Sequence, residues 1–370
     1  GYETECVLAC DTDKHCRSIY QENYDIEVHP DIKKLKPEDI PDYDILCAGF
    51  PCQPFSNAGK KTTFKHHKGT LFDEIMRLIK DKKPKFLFLE NVKHIMKVSN
   101  GAVFKYVLEK LDENGYNVQL FQMSPHEYGI PQQRERIYFV CTHKSLDKKE
   151  VSLIEPKTSE IVLANFLQNK EDVDSKYFVT GDVKTALEAW EEMIKEFEVN
   201  EKISPTIMAN EFHKVYTPEE FSALAKWRQD YITKNKPLYN KYKIKWDEWY
   251  ERNKVILKRR EIYAKLEWQV GKIKENDSIF NYFIQLRQSG IRVKKKKYFP
   301  TLVAMSQIPV YGAEMRYITP RECARIQSFP DSFIIHNDDR QSYKQFGNSV
   351  NVDNVRNVIK STLQTYQDSL

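Results

Sequence analysis

The most constraining stretch in this chain is Lys85-Phe86-Leu87-Phe88-Leu89, where four consecutive side chains are large and apolar. A strand with one wet face alternates polar and apolar residues. An unbroken apolar run instead suits a strand covered on both faces, as in a sheet held between layers of helix. The flanks supply those helices: Leu71, Ile75 and Ile79 before the run, and Val103, Val107 and Leu111 after it, recur at helical spacing. A short apolar strand over residues 6–9 ends at Asp11, residues 14–24 read as a helix, and residues 43–48 form a second strand running into 49–53. Strands over 118–123 and 137–141 follow, separated by a glycine- and proline-rich turn. Such alternation predicts an α/β fold with a doubly wound sheet.

From about Leu153 the pattern breaks. Residues 183–270 read as helical, charged and aromatic, punctuated by Pro205, Pro218 and Pro237. From Thr319 the chain turns compact again, and Val350, Val355, Ile359 and Leu363 suggest a closing helix. The simplest division is an α/β body over 1–152, a smaller basic insertion over 153–315, and a return to the body over 316–370. Charge supports the split. Residues 224–300 hold 21 Lys+Arg against 8 Asp+Glu, whereas the rest of the chain has 37 basic and 45 acidic residues. Four of the five tryptophans, Trp227, Trp246, Trp249 and Trp268, lie in that basic stretch. It reads either as a polyanion-binding surface or as a solvated lysine-rich helical face. The aromatic residues of 227–268 read as helix-packing core rather than base-stacking groups.

No run of about 18 apolar residues is present, which argues against membrane spans and a secreted chain. Seven cysteines with no CxxC pair fit a reduced, cytoplasmic protein better than a disulfide scaffold or a zinc site. One of them, Cys52, sits in Gly49-Phe50-Pro51-Cys52-Gln53-Pro54-Phe55-Ser56, just past a strand's carboxyl end, where ligands of open α/β sheets collect. With Lys60, Lys61, Lys65 and Lys68 close behind, it is either an activated nucleophile or a small buried hydrophobe. Glu90 leaves the KFLFL strand at the same edge. A desolvated carboxyl there would have a raised pKa and could donate a proton; helix capping or surface pairing is its plainer reading. Arg134 and Arg136 return to that edge if residues 137–141 pair antiparallel with 118–123; ordinary salt bridges are the alternative.

Together, Pro51-Cys52-Gln53, Glu90-Asn91-Val92, Gln133-Arg134-Glu135-Arg136, Arg321-Glu322-Cys323-Ala324-Arg325 and Gln345-Phe346-Gly347-Asn348-Ser349-Val350 form an ordered set. With these motifs the chain closely resembles the DNA (cytosine-5) methyltransferases over residues 1–145 and 315–370, roughly half its length. The resemblance implies a Rossmann-like methyltransferase sheet, with residues 155–315 in the place of the variable target-recognition region. It implies a Cys52 thiolate that attacks C6 of cytosine and a Glu90 that protonates N3. Arg134 would hold O2 of the base with Arg136 as support. The base must leave the duplex stack for this chemistry. The segment from Gln53 to Gly69 is similar to the family's mobile catalytic loop, and its Gln53, Ser56 and Lys60 would touch DNA.

The implied cofactor is S-adenosylmethionine, leaving as S-adenosylhomocysteine, with no metal. Asp11 and Thr12 would meet the ribose, Asp31 and Ile32 the adenine, and Pro51 and Leu71 would line the pocket. Asn348, Ser349 and Val350 would close over the methionine end. The family's glycine-rich Phe-x-Gly-x-Gly turn is not in this chain, which has no glycine between Tyr2 and Ala48. A longer form of the chain is the favoured source of the turn; a separate polypeptide, or a form that does not bind cofactor, are the alternatives. In the basic segment, Arg287 and Arg292 are the candidates for guanine contacts, and Lys294, Lys295, Lys296 and Lys297 for phosphates. The implied partner is double-stranded DNA, and the implied setting a monomer beside a cognate restriction endonuclease in a bacterial or virus-encoded system. A non-catalytic or split-subunit DNA-binding member, and a tRNA cytosine-5 methyltransferase, are the competing readings.

Overall fold

The first two strands, Ala9–Cys10 (β1) and Val28–His29 (β2), lie parallel and are joined by the helix Lys14–Tyr24. A four-stranded sheet follows in the order Ile45–Gly49 (β3), Phe86–Val92 (β4), Arg136–His143 (β6), Tyr116–Met123 (β5). β3 and β4 are parallel, and β6 runs antiparallel to both of its neighbours. This computed structural model describes residues 2–51, 70–155, 161–203, 206–302 and 307–369. It forms two units, Gly1–Ile161 with Ala324–Leu370, and Val162–Cys323. The first strand covers Ala9–Cys10, whereas the apolar run alone places it at 6–9. Its extent is set by its partner, since only Ala9 and Cys10 meet Val28 and His29.

The unbroken apolar run of β4 is explained by what covers it. Phe86 and Phe88 face Tyr138, Val140, Val358, Leu363 and Tyr366, the last three from the closing helix Val352–Thr365 and the residue after it. Leu87 and Leu89 project to the other face. There they meet Ile75 and Ile79 of helix Leu71–Lys82 and Val103, Val107 and Leu111 of helix Ala102–Glu113. Each such fully buried side chain contributes about 1.5–3 kcal/mol relative to an exposed one. Helix Leu71–Lys82 starts where it does because Thr70 and Asp73 exchange hydrogen bonds in a capping box. The Tyr106 hydroxyl donates to the same Asp73 at 2.5 Å, which ties the start of this helix to the next one.

The second unit holds a six-stranded sheet in the order β12, β11, β9, β10, β8, β7. These are Arg316–Tyr317, Val310–Tyr311, Phe283–Arg287, Gly290–Lys294, Lys265–Gln269 and Ile207–Met208. The helical reading of 183–270 therefore needs correction at both β7 and β8. In Lys265-Leu266-Glu267-Trp268-Gln269 the apolar residues alternate, and Leu266 and Trp268 enter the core while Glu267 takes the other face. Helices Gly181–Lys195, Pro218–Ala223, Lys226–Lys241 and Lys243–Arg259 form the helical part of that stretch, and loops and short 3-10 turns separate them from the strands. Pro218 does punctuate, at the first turn of its helix behind the Thr217 cap. Pro237 does not: it lies inside Lys226–Lys241, a helix held through that region by buried Asn235, whose amide donates to the Thr206 and Tyr231 carbonyls. Pro205 lies outside the described residues.

Trp246, Trp249 and Trp268 are core, with Trp190 at 4.9 Å from Trp249 between ring centres. Trp227 is the exception at 54% exposed. The Arg321-Glu322-Cys323 motif has a structural task in this unit. Glu322 receives both Nη groups of Arg316 at 2.8 and 2.9 Å, as well as the Thr319 amide at 2.7 Å, with both side chains fully buried. Glu322→Gln removes one of the two carboxylates that hold the buried Arg316, Glu314 being the other at 2.6 Å, and is expected to destabilise this unit by about 1–3 kcal/mol in urea denaturation. A wild-type midpoint would disprove this.

Candidate active site

β3 delivers the chain to the edge where chemistry is expected. Gly49 lies opposite Glu90 in the parallel register. Phe50 then turns inward, 5.0 Å from Phe72 and 6.3 Å from Phe139 between ring centres. Its carbonyl accepts a 2.7 Å hydrogen bond from the buried Asn91 amide. Backbone and side chain of Phe50 are thus both anchored, one residue before the exposed Pro51. The expected nucleophile Cys52, and Gln53, Ser56 and Lys60, lie outside the described residues. In sequence Asn91 stands out only as part of the Glu90-Asn91-Val92 motif; its anchoring role depends on a contact 41 residues away. Asn91→Ala leaves the Phe50 carbonyl without its donor. About 1–3 kcal/mol of stability should be lost, with a drop in turnover larger than the drop in DNA affinity. Thermal melts and single-turnover rates check this.

Glu90 stands within β4, its side chain only 18% exposed and its Oε1 2.8 Å from Nε of Arg136. Burial pushes its carboxyl above the usual range, while the charges of Arg136 and Arg134 pull it back. A Cβ at Gly49 would sit 3.5 Å from Oε2, so the glycine leaves that flank of the carboxylate uncovered. The two arginines take different partners. Arg134, expected to face the base, is buried, and its Nη2 donates at 2.9 Å to the carbonyls of both Gly347 and Ser349. Its own amide donates to Ser124 Oγ. Burial, with Arg136 acting in the same direction, pushes its guanidinium down to about 10. Arg136 is the arginine that meets the carboxylate.

The expected cofactor residues gather in part. Asp11 follows β1 and Asp31 follows β2, so the parallel pairing sets both at the carboxyl ends of adjacent strands. Burial, and then the charges of Asp11 and Asp31, push the thiol of Cys10 between them upward. Asp11 Oδ1 accepts from the Asp13 amide at 2.7 Å, and Asp31 Oδ1 from the Lys33 amide at 3.0 Å. The exposed Thr12 contributes its carbonyl to Arg17. Ile32 packs into the apolar cluster, with its carbonyl bound by Arg77, and Leu71 is the first residue of its helix. Asn348 ends the helix Asp339–Asn348, and Ser349 and Val350 are half-buried beyond it. Two links between these elements have no sequence signature: His15 to His336 at 3.0 Å and Lys344 to Asp13 at 2.6 Å.

In the second unit, Arg287 ends β9, Arg292 and Lys294 lie on β10, and Lys295, Lys296 and Lys297 are exposed in the turn that follows. Arg292 is not a loose surface cation, because its Nε pairs with the buried Glu267.

The family model of C-5 cytosine-specific DNA methylases matches residues 1–364. The chain belongs to the C-5 cytosine-specific DNA methylase family. This methylase is 31% identical over 374 residues to the type II methyltransferase M1.ScrFI of Lactococcus lactis subsp. cremoris, across 99% of this chain and 74% of that one. It is 29% identical over 346 residues to the type II methyltransferase M.HhaI of Haemophilus parahaemolyticus, across 94% and 84%. Its fold is similar to that of the S. pombe Dnmt2 methyltransferase, with a TM-score of 0.54 and 19% identity over 97% of this chain and 91% of that chain. The Entamoeba histolytica methyltransferase EhMeth aligns with a TM-score of 0.52 and 18% identity over 96% and 89%. The methylase is thus a DNA methyltransferase with a Rossmann-like α/β fold. Among its described residues no helix is long and apolar enough to cross a membrane.

Proposed function

We propose that this methylase transfers a methyl group from S-adenosylmethionine to C5 of a cytosine turned out of duplex DNA. In this reading it is a monomer, the modification partner of a restriction endonuclease in a bacterial or phage-encoded cytoplasmic system. The observation that carries the reading is the half-buried Glu90–Arg136 pair, set beside the anchored segment that leads into Cys52.

The residues present fit the adenosine half of the cofactor. Asp11 and Asp31 each accept from their own backbone through Oδ1, so Oδ2 of each would take a ligand hydroxyl or amine. Asp11 and Thr12 would hold the ribose, Asp31 and Ile32 the adenine, Pro51 and Leu71 the sides, and Asn348, Ser349 and Val350 the methionine end. When bound, the sulfonium supplies an electrophilic methyl group.

Cytosine C5 is too weak a nucleophile to take that methyl unaided. The Cys52 thiolate adds to C6, the displaced electron pair reaches N3, and Glu90 gives N3 its proton. C5 then has enamine character. After transfer, loss of the C5 proton and cleavage of the C6–S bond restore aromaticity and free the thiol. We assign the contact to the base's O2 to Arg136 rather than Arg134, because Arg134 is committed to the carbonyls of Gly347 and Ser349. Arg134 would instead couple the base site to the segment that closes over the cofactor. Gln53, Ser56 and Lys60 would contact the DNA around the vacated position, and the second unit would select the site.

The test is transfer of a labelled methyl group by the full-length protein to duplex DNA in competition with tRNA, followed by bisulfite sequencing of a plasmid from expressing cells. Label in DNA and protected cytosines in one sequence motif are expected. Label in tRNA alone would overturn the duplex reading.

A further inference from the structure

One face of the second unit's sheet is apolar, and the other carries polar side chains beside the buried Phe283, which packs against Phe299 and Tyr311. Leu266, Ile284, Ile291 and Val293 turn into its core. On the opposite face, the registers of β8, β10 and β9 set Glu267, Arg292 and Gln285 in one straight row. Glu267 accepts from Arg292 Nε, and the two side chains are 8% and 21% exposed. Among the described residues the Nη groups of Arg292 make no hydrogen bond. Arg287 and Lys294 flank the row, and the charged form of each is disfavoured first by burial and then by Arg292.

Folding alone does not favour this arrangement. A buried ion pair at the middle of a sheet adds little stability over apolar residues of the same volume. Three cations around one carboxylate leave an excess of positive charge, which an acceptor-rich ligand relieves. A guanidinium held at Nε has its plane and reach set, and its Nη edge presents two parallel donors. Guanine offers two acceptors side by side in the major groove, O6 and N7. The next exposed residues, Lys295, Lys296 and Lys297, suit the phosphates beside such a base. Gly290, which opens β10, allows the close strand approach. Its φ is +134°, and a Cβ there would lie 2.6 Å from that of Lys265.

We propose that Arg292 reads a guanine of the recognition sequence in the major groove, with Glu267 as the positioning residue that aims it. The inference rests on the duplex-DNA reading above and adds the base and the residue pair that select it.

The full chain would be mixed with a randomised duplex pool, and the retained DNA sequenced, for wild type, Arg292→Lys and Glu267→Gln. Both variants should lose guanine preference at one and the same position by about tenfold or more, the rest of the motif and the salt dependence staying as in wild type. Replacing Lys295, Lys296 and Lys297 with glutamine should instead weaken all sequences alike and flatten the salt slope. If Arg292→Lys melts as wild type and keeps the whole motif, the proposal is overturned. It is overturned equally if wild type shows no sequence preference, or if Arg292→Lys fails to fold, since the pair would then be structural. Arg292→Lys keeps the charge and decides the test by itself. Sequence-specific retention without methyl transfer would count against the function proposed above and leave this inference standing.

Discussion

Cys52→Ser is expected to lower methyl transfer to DNA by at least about 10⁴-fold while leaving DNA affinity near wild type. The size of the effect follows from the chemistry. Without addition at C6, C5 stays part of an aromatic ring and does not attack a sulfonium, so the substitution removes the route rather than slowing a step. Serine cannot stand in, because its hydroxyl is far less acidic than a thiol and provides almost no anion at neutral pH. The anchoring of Phe50 by Asn91 is independent of the residue at 52, so the fold and the DNA-binding unit should be unaffected. Single-turnover transfer of labelled methyl groups, alongside equilibrium DNA binding, separates the two quantities. Normal turnover by Cys52→Ser would end the covalent mechanism.

The second large effect is expected at Glu90. Glu90→Gln keeps the shape and a hydrogen-bond donor but cannot release a proton to N3, and transfer should fall by about 10²–10⁴-fold. The pH dependence has a definite sign. Burial raises the Glu90 carboxyl, so its acid form persists to higher pH than that of an exposed glutamate. Since the acid form does the work, the wild-type rate should fall as pH rises through that raised value, and the residual rate of Glu90→Gln should lack this limb. Stability moves the same way. A raised carboxyl disfavours the folded state when ionised; the penalty fades as pH falls through the raised folded value and is gone below the unfolded one. Glu90→Gln should therefore flatten the acid side of the stability curve. An unchanged alkaline limb in the variant would reassign the proton to another group.

The edge proposed for catalysis is legible in sequence because its signals are local. Phe86 to Leu89 state in four residues that both faces of the strand are covered, and Glu90 comes next in sequence. Cys52 and its neighbours follow β3 in the same way. What escaped was decided by contacts distant in sequence. The tasks of Arg134 and Arg136 look interchangeable in Gln133-Arg134-Glu135-Arg136, and only the bonds of Arg134 to Gly347 and Ser349 separate them. β8 was hidden because five alternating residues are too few to stand out inside a long charged stretch. Trp227 reads like the core tryptophans in sequence, but its place near the start of its helix leaves it half in solvent.

Sequence by itself determined the α/β class and the family, and it supplied the candidate groups for the proposed catalytic edge. Each of these depends on residue type and on spacing along the chain. Tertiary structure alone decided how those groups are coupled. It pinned the Phe50 carbonyl with Asn91, turned Arg136 rather than Arg134 toward Glu90, and set Glu267 beside Arg292 on neighbouring strands. The physical reason is that hydrogen bonds and ion pairs act over about 3 Å in space, whichever residues the fold brings together. Strand register is chosen by burial of the apolar face, and the polar partners opposite it follow from that choice.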